Sequence, residues 1–330
     1  MKVAILGATG QTGKSIAHCL LGSADQFDVT ALVRSSSLQD SDLIELLSRG
    51  AKAVPVDLAG PKEELTRTLE GFDVVISAIS AANISHQFAL VDAVKAAGVK
   101  RFVPCNFALI QAPIGFLAIA DQKEEVLNYV KAAHVPYTVI DIGYWHQIAF
   151  PHLPSGRTDY ISPAAFDRIT GDGNTPSGYS DLRDIGKWVA RIIADPRTLN
   201  KKVFAFSAVA TTNQIYDALE KASGEKIPRV HISSEEVVAE AQRGLAAPQS
   251  PSSFGYFDWV KYQYWNIMFV RVDNTPEYAE YLGYVDARRL YPDVVTTSLE
   301  DFAQQAVDGQ VPAIYAKLRA AAKAAATAQN

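Results

Sequence analysis

Cysteine is nearly absent from this sequence of 330 residues. Cys19 and Cys105 stand far apart and in no C-x-x-C pair, which excludes a disulfide framework and a cysteine-based zinc site. A strong charge of either sign is also lacking. The 31 Lys and Arg against 36 Asp and Glu leave a net charge of −5 with no basic patch, so neither nucleic acid nor an anionic membrane is an expected partner. No apolar stretch approaches the roughly 18 to 20 residues of a membrane span. At the N-terminus Lys2 is followed only by "VAIL" before a glycine turn, unlike a secretory signal. A cytoplasmic, reducing compartment is the expectation. His146 and His152 are six apart without acidic partners at ligand spacing, so no metal site is expected. No G-x-S-x-G elbow is present for nucleophilic catalysis.

What is present is a regular alternation. Short, mostly β-branched apolar runs at 2–6, 27–33, 51–56, 73–79, 101–106 and 137–142 read as strands buried on both faces, with helices between them at 13–21, 39–49, 61–69, 86–97 and 121–134. This is the pattern of βαβ units on a parallel sheet, an α/β fold. A run at 202–208 could add another strand. Residues 151–200 are rich in Pro, Gly, Asp and Ser and read as loops covering a site. Beyond 211 the chain reads as mainly helical, ending in the alanine-rich tail "AKLRAAAKAAATAQN".

The stretch "GATGQTGKS" (7–15) allows two readings. A P-loop needs glycine five positions before the Gly of Gly-Lys-Ser, and that position is Ala8. The spacing Gly7-x-x-Gly10-x-x-Gly13, after a strand and opening a helix, instead fits a dinucleotide-binding turn. Gly7 would permit the tight exit from the strand, Gly10 close approach to a pyrophosphate, and Gly13 close helix packing, with Thr9, Gln11 and Thr12 completing the turn. The second strand ends "ALVRSSS", with Arg34 where NAD-binding chains carry an acid. A guanidinium followed by Ser35 suits a 2′-phosphate, so NADP(H) is the expected cofactor. Asp57 could meet the adenine or simply cap its loop. In "ISAIS" (76–80), Ala78 and Ile79 could line the second ribose.

On these residues the sequence resembles the isoflavone reductase-like and NmrA-like family of atypical short-chain dehydrogenases. The resemblance rests on "GATGQTGK" (7–14), "LVR" (32–34), "DVVISAIS" (73–80), "AGVKRFVPCNFA" (97–108), "VPYTVIDIGYW" (135–145), "TGDGN" (170–174) and "DLRDIGKWVARIIADPRTLNKKVF" (181–204). It implies a Rossmann doubly wound parallel sheet: an NADP-binding domain over 1–150, with a further strand near 202–208, interleaved with a smaller substrate-binding α/β region, mainly 151–330. It also implies a lysine at the start of the helix preceding "PYT", here Lys123, and places Asn106 and Phe107 beside the cofactor. Cys105-Asn106-Phe107-Ala108 replaces the Ser-Glu-Phe-Gly usual in the plant reductases. The "GYWHQ" ending is closer to fungal members, which favours fungal secondary metabolism over plant phenolics.

None of the fourteen tyrosines is followed four residues later by lysine, so the standard short-chain dehydrogenase Tyr-Lys pair is unsupported. Lys123 could hold the nicotinamide ribose and, when desolvated, serve as a general acid or base. Spacing alone, in "QKEE", would make it a surface lysine. Tyr144 and His146 follow a strand end and could reach the crevice, although a histidine packed on a loop carries equal weight. The aromatic cluster 254–269 reads as core, with a lid over an aromatic substrate as the alternative. The expected protein is an NADPH-dependent reductase of an aromatic or polyketide-like small molecule, monomeric or homodimeric. The rivals are a non-catalytic NADP(H) sensor that binds a protein partner, and a non-redox isomerase or dehydratase.

Overall fold

The computed structural model describes residues 1–246, 256–316 and 319. Its first half alternates strand and helix: β1 (Lys2–Leu6), α1 (Gln11–Leu21), β2 (Asp28–Val33), α2 (Ser41–Ser48), β3 (Lys52–Pro55), α3 (Lys62–Leu69), β4 (Val74–Ser77), α4 (Gln87–Ala96), β5 (Arg101–Val103), α5 (Ala118–Ala132) and β6 (Thr138–Asp141). Each element expected over 2–142 is present. The second half adds β7 (Tyr144–Trp145), α6 (His146–Ala149), β8 (Ile169–Thr170), β9 (Ser177–Ser180), α7 (Ile185–Ala194), β10 (Lys201–Phe204), β11 (Ala208–Ala210), α8 (Thr212–Ser223), β12 (His231–Ile232), α9 (Ser234–Ala246), α10 (Tyr256–Trp265), α11 (Pro276–Tyr281), β13 (Val285–Asp286), α12 (Ala287–Leu290) and α13 (Leu299–Val307). A π-helical turn, Asn266–Val270, follows α10.

The strands order as β3-β2-β1-β4-β5, all parallel. A parallel bridge between Phe102 and Tyr137 brings β6 alongside, and β10 and β13 continue the parallel run beyond it. The order reverses at β1, so the crevice beyond the carboxyl ends of β1 and β4 is the topological switch point. Alternate residues serve opposite faces, as the two-residue period of a strand requires. Val3, Ile5, Val29, Ala31 and Val33 join one core cluster with α1 and α7, while Ala4, Leu6, Leu32, Val75 and Phe102 join another with α3, α4 and α5. Helices on both faces make this a doubly wound Rossmann sheet.

Residues 151–200 depart from the loop reading. Their last third forms α7, whose Ile185, Trp188, Val189, Ile192 and Ile193 recur at helical spacing and are buried against the sheet. The turn residues around this segment masked that period. Close packing with α1 needs Gly186, where a Cβ would lie 2.3 Å from the Ser15 carbonyl oxygen. Arg101, buried in β5, donates to the carbonyls of Ile192 and Asp195 and to the hydroxyl of Thr198, each at 2.8 Å. It thereby ties the sheet to the negative end of the α7 dipole. Of the aromatic cluster, Phe254 and Gly255 lie outside the described residues; Trp265, Ile267 and Met268 are core. The alanine-rich tail also lies outside them, apart from Ala316 and Arg319.

Candidate functional site

The glycine turn is shaped by what a side chain would hit. Gly7 has φ +80°, and a Cβ there would lie 2.5 Å from the Ala78 carbonyl oxygen. Both torsion and room demand glycine. At Gly13 the Cβ would lie 2.1 Å from the Gly7 carbonyl oxygen, so α1 folds back on the strand exit only because that atom is missing. Gly10 is different. Its Cβ would meet nothing closer than 3.3 Å, its N–H donates to the Gly7 carbonyl, and its carbonyl accepts the first helical bond, from Lys14 N–H at 2.8 Å. As N-cap it offers no side chain to the N–H groups of Gln11, Thr12 and Gly13. Those donors stand at the positive end of α1, suited to an anion.

The "GKS" ending is used for packing. Lys14 pairs with Asp42 at 2.8 Å and Glu45 at 3.5 Å on α2, and the Ser15 hydroxyl accepts from Gly186 N–H at 3.1 Å. Neither serves as P-loop residues do.

Around the turn, Ala78 N–H donates to the Leu6 carbonyl at 2.8 Å, and the Ile79 carbonyl accepts from the Cys105 thiol at 3.1 Å. Both Ala78 and Ile79 are half-buried beside Gly7, and Thr9 is half-buried within the turn. Arg34 and Ser35 are exposed at the end of β2, where Arg34 leads into a short 3₁₀ turn over Ser35–Ser37. Asp57 is exposed after β3 and accepts from Ala59 N–H at 2.9 Å, capping its own loop. The Ser77 hydroxyl and the Asn106 side-chain oxygen are buried without a hydrogen-bond partner among the described residues.

Lys123 lies on the first turns of α5 and turns inward. Its Nζ donates to the Asn106 carbonyl at 2.5 Å, which removes it from the solvated setting that "QKEE" suggested. The neighbouring Glu124 is half-buried and pairs with Lys202 at 3.5 Å. The turn that offers this carbonyl is strained, because Phe107 adopts φ +41°, a region that bulky residues rarely occupy. Phe107 N–H donates to the Ile140 carbonyl at 2.8 Å, and Ala108 N–H donates to Asp141 Oδ1 at 3.1 Å. Asp141, passed over in the sequence, is 1% exposed, and its Oδ2 accepts from the Tyr284 hydroxyl at 2.9 Å. Burial pushes the Asp141 carboxyl up from its ordinary range, opposed by the bonds from Tyr284 and Ala108 and by the ammoniums of Lys202 and Lys123. A signal for it existed: an acid inside the otherwise apolar strand "YTVIDI".

Tyr144 and His146 diverge. Tyr144 follows Gly143 (φ +71°) and is half-buried, stacked on Phe166 at 5.4 Å and tilted against Tyr264 at 5.6 Å. Burial pushes its phenol well above the ordinary value, so it stays protonated and can only donate or accept as a neutral hydroxyl. His146 is fully buried, its ring at 5.2 Å from Phe302, 6.1 Å from Phe150 and 6.4 Å from Tyr179. Neither ring nitrogen has a hydrogen-bond partner among the described residues, and burial pulls its pKa down to about 4. The structure thus favours the packed histidine over one aimed into the crevice. Among the described residues no group of three or more His, Cys, Asp or Glu could hold a metal, and no helix is long and apolar enough to cross a membrane.

Strand order, glycine turn and crevice define a Rossmann-type protein. The sequence profile of the NmrA-like family matches residues 1–302, and the chain belongs to that family. It is 40% identical to the asnovolin J 5′,6′-dehydrogenase of Aspergillus novofumigatus over 94% of this chain and 96% of that one. It is 29% identical to a phenylcoumaran benzylic ether reductase of Betula pendula, over 93% and 98%. Among solved structures, the leucoanthocyanidin reductase–NADPH complex from Vitis vinifera superposes with a TM-score of 0.79 at 24% identity, covering 93% of this chain and all of that one. An isoflavone reductase structure gives 0.73 at 25% identity, over 92% and 98%.

Proposed function

We propose that this protein is an NADPH-dependent oxidoreductase that reduces an aromatic or polyketide-like small molecule in secondary metabolism. The observation that carries the reading is Lys123 Nζ held on the Asn106 carbonyl, beside the strand ends that carry the glycine turn. The residues present fit the cofactor: the Gly7 and Gly13 positions have no room for a Cβ, the first turn of α1 lacks a side-chain cap, and Asn106 keeps a buried, unpartnered oxygen. The pyrophosphate would be held by the turn 7–13, including Thr9, Gln11 and Thr12. The 2′-phosphate would be held by Arg34 and Ser35, and the nicotinamide half would lie along Ala78, Ile79, Asn106, Phe107 and Lys123. Asp57 would border the adenine. When bound, the cofactor supplies a hydride.

Lys123 donates or withdraws the accompanying proton from its station at the Asn106 carbonyl. Tyr144, kept neutral by burial, contributes an aromatic wall and a hydroxyl donor, with Phe166 and Tyr264 behind it. His146 fixes the packing beneath that wall. Residues 1–150 serve mainly the cofactor and 151–330 mainly the substrate, in a monomeric or homodimeric protein of the cytoplasm. The fungal relative bears a dehydrogenase name and the plant relative a reductase name, and both names denote redox chemistry.

The test is product analysis with NADPH deuterated at the transferred position, against a panel of aromatic and polyketide-like acceptors. Deuterium in the product at the reduced carbon supports the reading. Conversion without label would turn it into isomerisation or dehydration. Tight NADP⁺ binding with no NADPH consumption across the panel would turn it into a regulatory sensor, the other function expected of such a fold.

A further inference from the structure

The polar seam under α5 has no place in the chemistry described so far. On one face of the sheet Phe204 lies opposite Asp141, Lys202 opposite Val139, and Asp286 beyond Phe204. A buried carboxylate at such a position requires donors. Asp141 has two, the Ala108 N–H and the Tyr284 hydroxyl. Lys202 Nζ lies 5.5 Å from the centre of the Tyr284 ring and 3.5 Å from Glu124, and Glu124 is the neighbour of Lys123 on α5. The seam therefore runs from Glu124 through Lys202 and the Tyr284 phenol to Asp141. Burial and the charge of Asp141 push the Tyr284 phenol well above 10, which keeps it a donor.

Four bonds hold the turn that offers Lys123 its acceptor. Phe107 N–H reaches the Ile140 carbonyl, Ala108 N–H reaches Asp141, and the Ala108 carbonyl accepts from both Ile142 and Gly143 N–H. With Phe107 at φ +41°, this backbone would relax without such anchoring. Only the Asp141 bond also brings a charge, opposite in sign to Lys123.

We propose that Asp141, with Tyr284 as its hydroxyl donor, is the positioning residue for Lys123: it pins the turn 106–108 and electrostatically retains the ammonium at the Asn106 carbonyl. This rests on the reading that Lys123 faces the nicotinamide. It is tested without cofactor or turnover. The full-length protein is trace-acylated with acetic anhydride, and labelling of Lys123 is quantified by peptide mass spectrometry against Lys14 and Lys100. In Asp141→Asn, which keeps the shape but removes the charge, Lys123 labelling rises about five-fold or more relative to both references. In Tyr284→Phe it rises about two-fold. Should Asp141→Asn not fold, Tyr284→Phe decides. Unchanged Lys123 labelling overturns the proposal, as does a parallel rise at Lys14 and Lys100, which would mark general loosening. A selective rise in a protein that never transfers hydride from NADPH upholds the positioning role while removing the reductase reading.

Discussion

The two walls of the strand-end crevice are built by opposite means. The glycine wall, residues 7–13, depends on atoms that are missing: its geometry exists because Gly7 and Gly13 leave room for carbonyls at 2.5 and 2.1 Å. The lysine wall depends on polar atoms buried and paired, from Lys123 through Asn106 and Ala108 to Asp141 and Tyr284. The first is local and sterically fixed, and the second is assembled from segments far apart in the chain. A steric wall fails by refusing to fold, whereas an electrostatic wall fails by losing chemistry first.

The largest effect is expected within the glycine wall. Gly13→Ala forces a methyl group onto the Gly7 carbonyl and should cost about 3 kcal/mol or more, read by urea unfolding. Gly10→Ala, with its nearest atom at 3.3 Å, should change stability by about 1 kcal/mol at most while weakening NADP⁺ binding measured by calorimetry. Equal losses of stability in the two variants would show that the three glycines do not divide the work as the geometry implies.

The lysine wall should respond the other way. Lys123→Ala should lower kcat by about 10² to 10⁴, the range for a lost general acid or base, with the unfolding midpoint nearly unchanged. Turnover at the unsubstituted rate on the true substrate would remove Lys123 from the chemistry.

How much of each wall could be read from the sequence follows from the same contrast. Glycine spacing reports local constraints, on torsion and on room for a Cβ, so Gly7, Gly10, Gly13 and the switch-point sheet were legible from the first fifteen residues and the strand pattern. The position of Arg34, though not its role, was legible because a strand end is a fixed address. Lys123 was not legible by spacing: its partner carbonyl, 17 residues away, belongs to a turn held by another strand. Asp141 and Tyr284 are 143 residues apart, a pairing that no local pattern announces. His146 looked accessible because it follows a strand end, but α13 brings Phe302 against its ring. Residues 185–194 carried a clear helical period that the surrounding Pro, Gly and Asp concealed.

Away from both walls, His146, packed among Phe150, Tyr179 and Phe302, gives the molecule an acid sensitivity that the glycine wall lacks. Its folded pKa of about 4 lies below the ordinary 6.5, so the unfolded chain binds a proton in this interval and the folded one does not. Stability from this group is complete above pH 6.5 and is lost as pH falls towards 4, by at most about 3 kcal/mol. Urea unfolding at a series of pH values should show this slope, and His146→Leu should flatten it. Asp141, with its folded pKa raised, works in the opposite sense, so the difference between the two proteins isolates the histidine. Identical pH slopes would place the histidine proton elsewhere.

The smallest expected effect tests the outer edge of the glycine wall. Arg34 is exposed, so any bond it makes to a 2′-phosphate is made in high dielectric and screened by salt. Its removal should therefore act on discrimination more than on affinity in general. Arg34→Ala should reduce the preference for NADPH over NADH about ten-fold, mostly through weaker NADPH binding, while NADH affinity and the unfolding midpoint stay where they were. Raising the ionic strength should shrink the preference of the unsubstituted protein towards that of the variant, because the same screened contact is being weakened by other means. A variant that loses NADPH and NADH equally would assign Arg34 to the shape of the loop after β2, and the 2′-phosphate would then have to be recognised by Ser35 and the backbone of the 3₁₀ turn alone.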